Sequence, residues 1–112
     1  MRRLRIATFN LENLDEAPGS EPPFAERAAV LRPQLVRLDA DILCLQEIHG
    51  QAIAKHQRVL RALEHLLEGT PYAGYSMAVS EHSPGHGPAD IHNLVTLSRF
   101  PIQKSECVRQ SI

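Results

Sequence analysis

The sequence predicts an α/β fold in which two helices cover one face of a mixed β-sheet. Short apolar runs typical of strands alternate with longer runs of helical spacing, in the order βαβα followed by three strands. Residues 42–45 are four consecutive apolar residues without alternation, which is typical of a strand covered on both faces. The chain has 112 residues, enough for one domain core.

The first strand and the first helix are predicted from the spacing of apolar residues. Residues 4–9 are rich in apolar and β-branched types and end at a polar turn that begins with Asn10. A helix is expected from near Ser20, and Pro33 within it predicts a kink or two helical pieces. Its apolar stripe has steps of four and three: Phe24, Ala28, Leu31, Leu35 and Leu38.

The second strand is predicted over residues 41–47, and a second helix over 51–68. The helix prediction rests on an apolar stripe that includes Val59 and Leu63, and Gly69 followed by a proline is expected to end it. The remaining predicted elements are strands over 72–79, 91–98 and 102–108, with a polar loop over 80–89.

Asn10 and Glu47 are the candidate site residues. A right-handed crossover makes the first two strands parallel, so both residues would lie at the carboxyl edge of the sheet, where ligands bind in α/β folds. A carboxylate with water and phosphate oxygens is a typical Mg²⁺ environment, and an amide can orient a water or a phosphate oxygen. The alternative is that Glu47 merely ends a strand and Asn10 merely starts a turn.

Three stretches in this order, "RIATFNLENL", "DADILCLQEI" and "HNLVTLSRFPI", strongly resemble the endonuclease/exonuclease/phosphatase superfamily. The resemblance implies a nuclease or phosphodiesterase that hydrolyses phosphate esters with Mg²⁺, or alternatively Mn²⁺. By this resemblance Asn10 corresponds to the asparagine of the first motif, near metal and phosphate. Glu47 likewise corresponds to the glutamate that binds Mg²⁺.

The resemblance also implies that residues 1–112 represent only part of the domain that family members share. Family members continue with a catalytic histidine strand, an Asp-x-Asn motif and an Asp-His pair, and this sequence contains no Asp-x-Asn. We therefore expect a partial domain, the N-terminal half of a four-layer α/β/β/α sandwich. The second sheet of that sandwich would cover the free face of the first, and the partial chain would be inactive alone.

Other side chains offer less specific candidates. His49 could share a cation with Glu47, or it could be an exposed turn residue. Arg99 could contact phosphate, or it could be a surface arginine before a turn. Three further histidines that invite a metal interpretation flank the polar loop: His82, His86 and His92.

The alternative function is a non-catalytic binding or assembly module whose uncovered sheet face pairs with a partner or with a second copy. For the enzyme, the expected partner is a phosphate-ester substrate, with nucleic acid as one option.

The composition bears on partners and location. With a net charge of -1, the chain lacks the surplus of basic residues that a tight nucleic-acid binder has. No run approaches the roughly 18 apolar residues of a membrane span. Two cysteines are too few for a disulfide scaffold, so a cytoplasmic location is expected.

Overall fold

The computed structural model describes residues 3–54, 57–80, 88 and 92–106. These residues form an α/β structure with one main sheet and one small hairpin. The elements in chain order are β1 (Ile6–Leu14), α1 (Phe24–Leu38), β2 (Ile42–Ile48), β3 (Gln51–Ala54), β4 (Gln57–Val59), α2 (Arg61–Leu67), a 3-10 turn (Pro71–Gly74), β5 (Ser76–Val79) and β6 (Asn93–Ser98).

The main sheet has four strands in the order β1-β2-β6-β5. β1 and β2 run parallel, with Ile6 opposite Ile42 and Asn10 opposite Gln46. β6 runs antiparallel to both β2 and β5. The predicted mixed sheet and the predicted parallel pairing of the first two strands are therefore confirmed.

The core lies on one face of this sheet. Leu43, Leu45 and Leu97 alternate with less buried neighbours along their strands, and they pack in one cluster with buried residues of both helices. The opposite face stays open in the described structure, where Ile6 is 59% exposed and Leu94 is 57% exposed. Two helices covering one sheet face is the arrangement that the sequence predicts.

Tyr72 ties the helical layer to the start of β2. Its side chain is 2% exposed, and its hydroxyl donates to the carbonyl oxygen of Leu35 at 2.6 Å. The same hydroxyl accepts from the backbone N–H of Ala40 at 3.1 Å. One phenol oxygen thus satisfies a carbonyl in the last turn of α1 and an N–H of the connection to β2.

The prediction of one helix over residues 51–68 is wrong. The chain first forms the hairpin β3–β4, with Gln51 opposite Val59, and α2 begins only at Arg61. The Gln51 side chain accepts from the backbone N–H of Ala62 at 3.0 Å, so the hairpin satisfies a donor in the first turn of α2. The predicted end is confirmed, because Gly69 follows α2 with a φ of 76°.

Four other boundaries also differ from the sequence predictions. β1 continues to Leu14, beyond its predicted end. α1 begins at Phe24 instead of near Ser20, and it is one helix through Pro33, so the alternative of two helical pieces is wrong. Residues 72–74 are helical instead of extended, and residues 102–106 form no strand. Residues 107–108, most of the 80–89 loop and residue 91 lie outside the described residues.

Within the described ranges, no helix has the length and apolar character needed to cross a membrane.

Candidate active site

Asn10 and Glu47 meet at the carboxyl edge of the parallel pair β1–β2. The Asn10 Nδ2 group donates to Glu47 Oε2, while Asn10 Oδ1 accepts from the backbone N–H of Glu12 at 2.7 Å. Asn10 therefore both begins the irregular part of β1, where Glu12 and Asn13 have positive φ, and fixes one oxygen of a carboxylate. The structure brings together the two residues that the sequence singles out.

A β-bulge near the end of β2 directs Glu47 toward Asn10. Strict alternation after Leu45 would turn Glu47 toward the helices and leave Ile48 on the open face. Instead, Glu47 has a φ of 59°, the register with β6 shifts between Leu45 and Ile48, and Ile48 is fully buried. The extra residue in the ladder thus keeps the carboxylate out of the core.

Two hydrogen bonds hold the backbone just beyond this bulge. The N–H of His49 donates to the carbonyl oxygen of Leu14 at 2.9 Å, which joins the ends of β1 and β2. On the other side, Asn93 Nδ2 donates to the carbonyl oxygen of Ile48, also at 2.9 Å. The segment that carries Glu47 is therefore held from both neighbouring strands.

The imidazole of His49 pairs with the carboxylate of Asp15. His49 Nδ1 lies 3.1 Å from Asp15 Oδ2, and Gln51 donates to the other carboxylate oxygen at 3.1 Å. Burial raises the pKa of Asp15, but the hydrogen bonds from His49, Gln51 and the backbone of Glu16 outweigh it, so the pKa lies below its ordinary value. Asp15 was missed by sequence reasoning, because residues 34 positions apart share no local pattern.

The donor atoms of Glu47 and Asn10 suit a cation that prefers oxygen ligands. Magnesium accepts one or two carboxylates and completes its octahedral shell with waters and substrate oxygens. No group of three or more His, Cys, Asp or Glu side chains that could hold a metal is found in the described part of the chain. The carboxylate of Glu47, with the amide of Asn10 beside it, offers the oxygen donors that Mg²⁺ prefers.

The remaining candidates lie elsewhere. His82 and His86 are outside the described residues, and His92 Nε2 donates to Asn13 Oδ1 at 3.1 Å. Arg99 follows β6 at the opposite edge of the sheet, where its guanidinium lies 2.8 Å from the buried carboxylate of Asp41. In this structure Arg99 joins the end of β6 to the start of β2 and is remote from Glu47.

The sequence profile of the Endonuclease/Exonuclease/phosphatase family matches residues 7–111, a range that includes Asn10, Glu47 and the third motif stretch. No curated protein and no solved structure matches the chain. The family match covers far more than half of the 112 residues and agrees with the resemblance of the three stretches. The chain therefore belongs to the endonuclease/exonuclease/phosphatase family, and belonging to this family suggests that the protein is a hydrolase of the phosphoesterase or nuclease type.

Proposed function

We propose that this protein is a Mg²⁺-dependent phosphoesterase in which Asn10 and Glu47 form part of the site for metal and phosphate. The observation that carries the proposal is the hydrogen bond between the Asn10 amide and the Glu47 carboxylate at the carboxyl edge of β1 and β2. A carboxylate held in one orientation outside the core is suited to binding a cation. Mn²⁺ has the same preference for oxygen donors and would be accepted too.

Each residue has a distinct part in this proposal. Glu47 supplies the negative oxygen ligand, and Asn10 keeps that carboxylate from rotating by donating to Oε2. The amide of Asn10 also stands where it can orient a water or a phosphate oxygen beside the cation. When bound, Mg²⁺ polarises a phosphoryl oxygen and stabilises the charge that develops on the leaving group.

We further propose that residues 1–112 form the N-terminal part of a four-layer α/β/β/α domain. The open sheet face supports this, because the exposed side chains of Ile6 and Leu94 offer apolar surface for a second sheet. The resemblance to the family places the general base in later motifs, and this sequence contains no Asp-x-Asn. We therefore expect negligible hydrolysis by residues 1–112 alone.

Binding of Mn²⁺ to purified 1–112, measured by isothermal titration calorimetry, tests the metal site directly. We expect wild type to bind Mn²⁺ and Glu47→Gln to lose measurable binding, because the amide removes the anionic ligand. Glu64→Gln is the matched control, since Glu64 is an exposed carboxylate on α2. Equal binding by wild type and Glu47→Gln would contradict the proposed site.

Activity is tested separately with bis(p-nitrophenyl) phosphate in the presence of Mg²⁺ or Mn²⁺. Residues 1–112 are expected to show no metal-dependent hydrolysis above background. A metal-dependent rate that Glu47→Ala abolishes would support the metal site and refute the claim that these residues are insufficient for catalysis. The substrate class is a phosphate ester, with nucleic acid as one option.

A second candidate function is assembly through the open sheet face, favoured by the exposure of Ile6 and Leu94. In that case the Asn10–Glu47 pair would be structural only. Size-exclusion chromatography with and without Mg²⁺ separates the two candidates. A tight dimer that ignores Mg²⁺ supports assembly, whereas a monomer that binds Mn²⁺ through Glu47 supports the phosphoesterase.

A further inference from the structure

The position of the Glu47 carboxylate depends on an unfavourable backbone conformation. A φ of 59° at a residue with a Cβ atom is disfavoured, so the surrounding structure must impose it. In a regular strand Glu47 would turn toward the side of the sheet that carries Leu45. The groups that hold the bulge therefore determine whether the carboxylate faces Asn10.

Asn93, the first residue of β6, is placed to hold this bulge. It is opposite Ile48 immediately after the register shift, and its side-chain amide donates to the Ile48 carbonyl at 2.9 Å. Asn93 is 1% exposed, so water does not compete for this contact. A carboxamide buried in a predominantly apolar core is costly unless it is hydrogen-bonded, and the bond goes to the residue next to Glu47.

His92, the residue before Asn93, contacts β1, the other strand of the candidate site. His92 Nε2 donates to Asn13 Oδ1 at 3.1 Å, in the irregular part of β1 that follows Asn10. Adjacent residues of one chain segment thus contact both strand ends that carry the candidate site. The contact of His92 is exposed, whereas that of Asn93 is buried, so Asn93 carries the greater restraint.

We propose that Asn93 is a positioning residue for the metal site: by holding the Ile48 carbonyl it keeps the bulge that presents the Glu47 carboxylate to Asn10 and to the cation. This inference rests on the proposed function, because it assumes that Glu47 binds the metal. Asn93 itself touches neither metal nor substrate. Its loss is expected to weaken metal binding by allowing the strand end to relax toward regular alternation.

The first experiment compares Mn²⁺ binding by calorimetry in wild type, Glu47→Gln and Asn93→Ala. Removing a group that orients a metal ligand typically weakens the affinity for the metal about 10-fold to 100-fold. We therefore expect Asn93→Ala to weaken Mn²⁺ binding by about tenfold. Ser98→Ala is the matched control. It removes a buried side chain of the same strand whose oxygen accepts from the N–H of Phe100 at 3.0 Å, at the opposite edge of the sheet. We expect this variant to bind Mn²⁺ as wild type does.

The outcomes separate this inference from the proposed function. If Glu47→Gln abolishes binding but Asn93→Ala binds as tightly as wild type, the positioning role is refuted and the metal site stands. If wild type does not bind Mn²⁺, or Glu47→Gln binds equally well, both proposals fall. Equal weakening by Asn93→Ala and Ser98→Ala would also overturn the positioning role, because it would reflect general loss of stability.

A second pair of variants tests the bulge without changing Asn93, should Asn93→Ala fail to fold. Because glycine tolerates a φ of 59° and alanine does not, Glu47→Gly should have the higher melting temperature of the two variants Glu47→Gly and Glu47→Ala. In a regular strand the order is reversed, since glycine destabilises a strand relative to alanine. A higher melting temperature for Glu47→Ala would overturn the inference.

Discussion

Removing the hydroxyl of Tyr72 tests how the helical layer is joined to the sheet. Tyr72→Phe keeps the ring in the core and deletes only the oxygen that bridges Leu35 and Ala40. Both partner residues are fully buried, so the carbonyl and the N–H have no ready access to water. The substitution therefore removes two hydrogen bonds and leaves two buried backbone groups without that partner.

The expected magnitude follows from the burial of these groups. A buried polar group left without a partner costs about 1–3 kcal/mol, so losing both contacts, with some relaxation, should lower the free energy of unfolding by about 2–3 kcal/mol. For a domain of this size, that loss lowers the melting temperature by roughly 8 °C or more. The added apolar character of phenylalanine offsets little of this loss, because the ring is already buried in wild type.

Urea unfolding followed by circular dichroism measures this change, with Tyr75→Phe as the control. The Tyr75 hydroxyl donates to the Ala40 carbonyl at 2.7 Å, but its side chain is only partly buried, so its loss should cost about 1 kcal/mol. A loss for Tyr72→Phe below about 0.5 kcal/mol would refute the assigned bridge. A larger loss for Tyr75→Phe than for Tyr72→Phe would refute it as well.

Three further predictions concern pH and backbone conformation. Because the pKa of Asp15 in the folded state lies below 3.8, its contact with His49 stabilises the fold above that pH and is lost as pH falls. Urea unfolding should therefore show a shallower loss of stability below about pH 4 in Asp15→Asn than in wild type, and parallel curves would contradict this. Burial raises the pKa of Tyr72 above 10.0. The folded state therefore loses stability relative to the unfolded state as the pH rises from 10.0 through the folded-state pKa. In Tyr75→Phe, the single phenolate absorbance step should come above pH 10.0 while the protein is folded; a step at the ordinary value would be evidence against burial of that hydroxyl. Gly69→Ala should cost about 1 kcal/mol because φ is 76°, although the added Cβ meets no atom within 4 Å, and unchanged stability in urea would exclude that conformation.

The juxtaposition of Asn10 and Glu47 could be predicted because it needs only two strands and one topological rule. Both strands have unambiguous apolar runs, and a connecting helix makes such strands parallel. The carboxyl ends of parallel strands then share an edge, whatever the details of the loops. The structure confirms the parallel pairing and adds the hydrogen bond.

The hairpin at residues 51–59 and the role of Asn93 could not be predicted in this way. The apolar residues of β3, β4 and α2 together imitate a single helical stripe, and only the pairing of Gln51 with Val59 distinguishes them. In the sequence, Asn93 is only a polar residue near the start of a predicted strand, and its partner Ile48 is 45 positions away. In both cases tertiary contacts decided the structure where local pattern left it ambiguous.

The bulge at Glu47 also links the candidate site to the hydrophobic core. If Gln46 were absent, the sequence Leu45-Glu47-Ile48 would alternate regularly, with the carboxylate on the open face and the isoleucine in the core. With Gln46 present, three residue steps of β2, from Leu45 to Ile48, lie opposite two steps of β6, from Val95 to Asn93, and the bulge takes up the extra residue. The carboxylate at the candidate site and the isoleucine in the core are therefore coupled through one backbone irregularity. A change that restores regular alternation would turn Glu47 toward the helices and Ile48 toward the open face at the same time, so loss of the site would also cost core packing.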